Sequence, residues 1–105
     1  MCKKSAPIPM RLKKAREATG LSQKKLGIAA GIDEFSASAR MNQYETGKHI
    51  PNYSMLARIG MVLQIPTAYF YTEDNELAEL ILLYNSIHNT KRQKLVKELK
   101  RLIDL

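Results

Sequence analysis

The sequence predicts an all-α protein: one compact helical domain followed by a short helical appendage. Apolar residues recur at spacings of three and four in seven successive segments, N-cap residues stand before most of them, and glycines close the first three. No stretch alternates at period two for long enough to make a strand, and no repeat of roughly 20–50 residues runs along the chain.

Residues 1–8 read as a basic arm, aperiodic and broken by Pro7. Pro9 suits the first turn of the first helix, which carries Leu12 and Ala15 and stops at Gly20. Ser22 is the N-cap of the second helix, which runs to about Ala30 with Gly31 behind it. Asp33-Glu34-Phe35-Ser36 either caps a turn or begins the third helix, which continues through Glu45 with Met41 and Tyr44 inward and ends at Gly47. Asn52 caps the fourth helix, expected to bury Tyr53, Leu56, Ile59 and Leu63, and Pro66-Thr67 opens a short fifth anchored by Phe70. The polar run at 72–75 caps the sixth, whose face of Leu77, Leu80, Ile81 and Tyr84 is expected to meet the main domain. Asn89 or Thr90 caps the seventh, where Leu95, Leu99, Leu102 and Ile103 repeat at three and four, and His88 reads as a loop residue.

A chain of 105 residues with 45% hydrophobic and 26% charged side chains has the composition of one ordinary globular domain. Its single Cys, Cys2, closes no internal disulfide, and no Cys/His cluster has zinc-site spacing, so neither metal nor cofactor is expected. The longest apolar run, residues 80–84, is far short of the roughly 20 needed to span a bilayer, and no signal-peptide pattern opens the chain; a reducing cytoplasmic setting is expected. The net charge is +7, and residues 1–50 hold 10 basic against 4 acidic groups. Such an excess points to a polyanionic partner or to a solvated surface, and charge alone does not choose between them.

The second and third helices decide the matter. Two helices joined by a short turn with a glycine form a helix-turn-helix, which needs a small residue where they cross, supplied by Gly27 or Ala30, and a residue tolerant of positive φ, supplied by Gly31. With Met41 and Tyr44 inward, a 100° step per residue turns Ala39, Asn42, Gln43 and Thr46 outward. Amide side chains offer a donor beside an acceptor, the pattern that matches adenine in the major groove.

These residues resemble the XRE family of bacterial and phage regulators (Cro- and lambda-repressor-like). Leu12, Arg16, Gly20-Leu21-Ser22-Gln23, Leu26, Gly31, Tyr44-Glu45-Thr46-Gly47-Lys48, Pro51 and the run 56–65 fall where that family's pattern places them. The resemblance covers residues 9–71 and implies a five-helix lambda-repressor-like domain, with residues 72–105 outside it as a C-terminal helical hairpin. It further implies that Ser38, Ala39, Arg40, Asn42 and Gln43 face bases, that Gln23 and Lys48 hold phosphates, and that Arg16 and Glu45 form an ion pair inside the domain; Ser22, Lys24 and His49 are further candidates for phosphate contact. The chain departs from the pattern twice. Some four extra residues lie around 32–36, and Gln64 stands where a Gly usually ends the fourth helix.

The bland alternatives are solvent-facing amides, an exposed and energetically idle Arg16–Glu45 pair, and a merely solvated lysine face on the seventh helix. No Ser/His/Asp, Cys/His or paired-carboxylate context suggests an enzyme. Leu82, Leu83, Leu95, Val96, Leu99, Leu102 and Ile103 exceed what a helical hairpin of this size hides, so the surplus is expected to form a homodimer interface. The expected function is that of a dimeric, sequence-specific regulator of transcription, a repressor, bound in the major groove of double-stranded DNA and found in the cytoplasm, at the nucleoid when on DNA. The rival is a protein-binding module of the same fold, as in antitoxins and coactivators, whose partner is a protein. No membrane partner is expected.

Overall fold

The computed structural model describes residues 7–104, and among them every regular element is a helix: α1 (Ile8–Thr19), α2 (Gln23–Ala29), α3 (Ala37–Thr46), α4 (Tyr53–Leu63), α5 (Ala68–Tyr71), α6 (Asn75–Ser86) and α7 (Asn89–Leu102). No helix among the described residues is long and apolar enough to cross a membrane. The expected basic arm falls mostly on residues 1–6, outside the described residues. Its last two positions belong to the domain instead: Pro7 is the N-cap of α1, its carbonyl accepting from the Arg11 N–H at 3.0 Å, and Ile8 is buried.

Helices α1 to α5 enclose one core, to which each contributes a fully buried side chain: Leu12, Leu26, Met41, Leu56 with Ile59, and Phe70. Each contributes about 1.5–3 kcal/mol by leaving water. The capping expectations hold at three helix starts, where Ser22, Asn52 and Asp74 accept from the N–H groups of Lys25, Met55 and Leu77. Gln64 ends α4 with φ 60, a left-handed conformation that a glycine adopts more easily by about 1 kcal/mol.

Helices α2 and α3 cross at Gly27. A Cβ there would sit 2.9 Å from the Ala37 Cβ and 3.0 Å from the Met41 Cγ, so only the missing side chain permits the approach. Gly31, at φ 98, turns the chain out of α2, and the Arg58 Nε donates to the Ala30 carbonyl at 2.9 Å, tying α4 to that turn. The extra residues at 33–36 lengthen this turn rather than α3. The Asp33 carboxylate accepts from the Phe35 N–H and its carbonyl from the Ser36 N–H, both at 3.0 Å, and α3 begins at Ala37.

Three expectations are corrected. Tyr53 is 66% exposed, because the buried stripe of α4 runs through Met55, Leu56 and Ile59 and leaves Tyr53 at the helix end, roughly a right angle away. On α6 the inward positions are Ala78, Ile81 and Leu82, one residue round from the predicted face, so Leu77, Leu80 and Tyr84 are exposed and Leu82 packs on the core instead of awaiting a partner. The small Ala78 lets α6 lie close, and the Asn85 amide, donating to the Gln64 carbonyl at 2.9 Å, fixes the same rotation. His88, not Asn89 or Thr90, is the N-cap of α7, its Nδ1 accepting from the Thr90 N–H at 3.3 Å.

Arg11, which no sequence pattern singled out, is only 2% exposed. Its guanidinium donates to the carbonyls of Thr72 and Glu73 and to the Asn75 Oδ1 at 2.9–3.1 Å and lies over the Tyr69 ring, joining α1 to the α5–α6 junction. The C-terminal pair is open. Arg92 donates to the carbonyls of Tyr84 and Asn85 at the corner and covers the Tyr84 ring, while no residue of α7 is buried. The radius of gyration, 15.8 Å, exceeds the roughly 13 Å of a compact chain this long.

Gly27→Ala should destabilise the fold by about 1–3 kcal/mol in urea denaturation, even though alanine is the better helix former by about 1 kcal/mol. A variant as stable as the parent would show that α2 and α3 separate at little cost.

Candidate nucleic-acid interface

The surface built by α2 and α3 rests on a buried charged knot. Glu45, in the last turn of α3, has a side chain only 2% exposed and accepts three hydrogen bonds. Two come from Arg16 of α1, Nε to Oε2 at 2.5 Å and Nη2 to Oε1 at 3.0 Å, in a two-pronged ion pair; the third comes from the Gln23 amide of α2 at 3.0 Å. The remaining Arg16 prong donates to the Leu21 carbonyl between α1 and α2. The hydrogen bonds that Arg16 donates to Glu45 raise the Arg16 pKa above its ordinary value, against the lowering effect of partial burial. One carboxylate thus fixes the three helices against one another.

The pair expected of Arg16 and Glu45 is therefore present, with Glu45 buried and Arg16 half-buried, and Gln23 has a use that the sequence reading did not foresee. It was assigned to phosphate, but one of its two amide N–H groups is committed to Glu45. The signal for this third member was slight: an amide at the start of α2 in a chain whose only acidic residue on the inner side of α3 is Glu45.

Outward from the knot, Ser38, Ala39, Asn42 and Thr46 are exposed on α3 and Gln43 is half-buried. Among the described residues the side-chain amides of Asn42 and Gln43 bond to nothing within the chain, whereas the Gln43 carbonyl accepts from the Thr46 hydroxyl and the His49 N–H. Arg40 lies at the flank of this face, its guanidinium 3.3–3.4 Å from the Tyr44 hydroxyl one turn along. Gly47, at φ 84, turns the chain sharply after α3 and leaves Lys48 and His49 exposed at that end. Lys24 is exposed on the first turn of α2, and Ser22 uses its oxygen as the cap, which leaves its O–H free to donate.

Charge placement follows from the knot. Glu45 is neutralised internally, so its carboxylate does not oppose an anion at the end of α3, where Lys48 stands. Chemically the face offers unpaired amides at its centre and cationic or hydroxyl donors at its margins.

No protein-family model matches the chain, and no curated protein matches it significantly. Among solved structures it is similar to the crystal structure of the transcriptional regulator BswR, with 47% sequence identity, a TM-score of 0.88, and coverage of 92% of this chain and 96% of that one. A match of that extent includes most of residues 72–105, so the C-terminal helices share the likeness.

Glu45→Ala strands the Arg16 charge and the Gln23 amide together and is expected to lower the unfolding free energy by about 3–5 kcal/mol. A loss below about 1 kcal/mol in chemical denaturation would show the knot to be no stronger than a surface pair.

Proposed function

The chain belongs to the same family as the transcriptional regulator BswR, and from that premise we propose that it is a dimeric, sequence-specific DNA-binding regulator of the XRE helix-turn-helix type. The observation that carries this reading is the outward face of α3, where the amides of Asn42 and Gln43 have no partner among the described residues, on a helix held rigidly from behind by Arg16 and Glu45. An amide meets adenine N6 and N7 with two hydrogen bonds in the major groove, and Ala39 suits an apolar contact to a thymine methyl. Ser38 and Arg40 flank that face. Lys24, Lys48, His49, the Ser22 hydroxyl and the second N–H of Gln23 hold phosphates and set the register on the duplex. Such a protein works in the cytoplasm, at the nucleoid when on DNA.

A helix-turn-helix monomer spans one half-site, and tight binding generally takes two copies about one helical turn apart. The C-terminal helices support self-association. Leu99 and Leu102 of α7, Ile103 at its C-cap and Leu83 of α6 are exposed, Val96 borders them, and Leu95 is half-covered. A single amphipathic helix of 14 residues with nothing buried is marginal in water, so a second copy covering this face would stabilise it. The interface excludes Leu82, which the core already uses. A dimer that occupies an operator blocks it, which favours repression.

In fluorescence anisotropy, Gln43→Ala or Asn42→Ala should weaken binding to the preferred duplex by about 1–3 kcal/mol and leave random DNA nearly unaffected. Lys48→Ala should weaken both and reduce the salt dependence. Equal losses on specific and random duplexes for Gln43→Ala would remove its readout role.

The double change Leu99→Asp with Leu102→Asp should give a monomer in sedimentation and remove most specific affinity. A parent protein already monomeric at tens of micromolar, roughly a thousandfold above typical specific dissociation constants, would transfer the α7 face to a different protein partner and favour the binding-module alternative.

A further inference from the structure

Phe35 is the most exposed large apolar side chain among the described residues, at 92%. It is not carried on a loose strand of chain. Its own N–H is held by the Asp33 carboxylate, the next N–H by the Asp33 carbonyl, and the loop is anchored behind them by buried Ile32, whose N–H donates to the Gly27 carbonyl at 2.9 Å. The fold therefore presents an aromatic ring to water on a hydrogen-bonded turn, with no contact among the described residues to explain it.

The position of the turn indicates what covers the ring. Ser36 already has helical backbone angles, so carrying the helical step of α3 back through it places Phe35 four residues before Ala39 and seven before Asn42, on the stripe that faces outward. This is the N-terminal end of the helix assigned to the major groove, the end from which such helices reach base edges. The adjoining carboxylates of Asp33 and Glu34 repel phosphates, so the ring, and not the polar groups of the turn, is the part that enters the groove. An apolar ring that enters the groove meets one apolar group there, the 5-methyl of thymine.

We propose that Phe35 is a specificity residue that packs on a thymine methyl just beyond the base pairs met by Ala39 and Asn42. This rests on the DNA-binding reading above and adds a contact supplied by the extra residues at 33–36. The contact is made by shape and desolvation alone, so it distinguishes thymine from the same base without its methyl.

The test selects preferred sites from a pool of random duplexes with the full-length protein, then replaces each thymine in turn by deoxyuridine and measures binding by anisotropy. One replacement near the outer end of a half-site is expected to weaken the parent about fourfold, the value of one buried methyl, and to leave Phe35→Ala unchanged. Phe35→Ala should melt like the parent, because the ring has no partner to lose. If every deoxyuridine is neutral while site preference persists, the Phe35 assignment is overturned and the DNA reading stands. If no preferred duplex emerges from the pool, both fall together. A drop in the sedimentation mass of free Phe35→Ala would make the ring a protein contact and overturn the assignment as well.

Discussion

The Glu45 carboxylate is the constraint on which the rest of the domain depends. A buried charge is tolerated only when its lone pairs are filled, and Glu45 fills them from two different helices, Arg16 of α1 and Gln23 of α2. Because those donors sit on separate elements, the relative positions of α1, α2 and α3 follow from satisfying one group. Hydrophobic burial behind it supplies most of the stability, since Leu12, Leu26 and Met41 are closed to water, but burial has no direction. The knot supplies the direction. It sets α3 at one angle, and Gly27 lets that angle be reached without a clash.

A second polar anchor repeats the device at the other end. Arg11 satisfies carbonyls left free where α5 gives way to α6, and so decides where the C-terminal helices leave the domain. Beyond it the character of the chain changes. Helices α1 to α5 share one core on which Ala78, Ile81 and Leu82 of α6 also pack, whereas α7 is amphipathic, unburied, and attached through the hydrogen bonds of Arg92 to the end of α6.

Much of this was legible in the sequence because it depends on local chemistry. Ser22, Asn52 and Asp74 cap helices by hydrogen bonds spanning three residues, and Gly20, Gly31 and Gly47 mark positive φ, so the order of the helices could be read directly. The helix-turn-helix followed from the crossing at Gly27 and the turn at Gly31, and the Arg16–Glu45 pair from the family resemblance. What was not legible depends on long-range geometry. Arg11 falls on the stripe of Ile8, Leu12 and Ala15, yet its acceptors lie 61–64 residues away and two are backbone carbonyls, which leave no mark in a sequence. The rotation of α6 escaped for a similar reason. Leucines occupy several of its faces, and only contact with the domain shows that Ala78 and Leu82 point inward. The residues at 33–36 were ambiguous because Asp and Ser serve turns and helix starts equally well.

The central claim is that the outward face of α3, held by Glu45, meets DNA bases. The most direct measurement is a titration of nitrogen-15-labelled protein with a selected duplex, followed by NMR. The side-chain amide signals of Asn42 and Gln43 and the backbone signals from Phe35 through Lys48 should shift together as duplex is added. Shifts confined to α6 and α7, with α3 unchanged at saturating duplex, would contradict it.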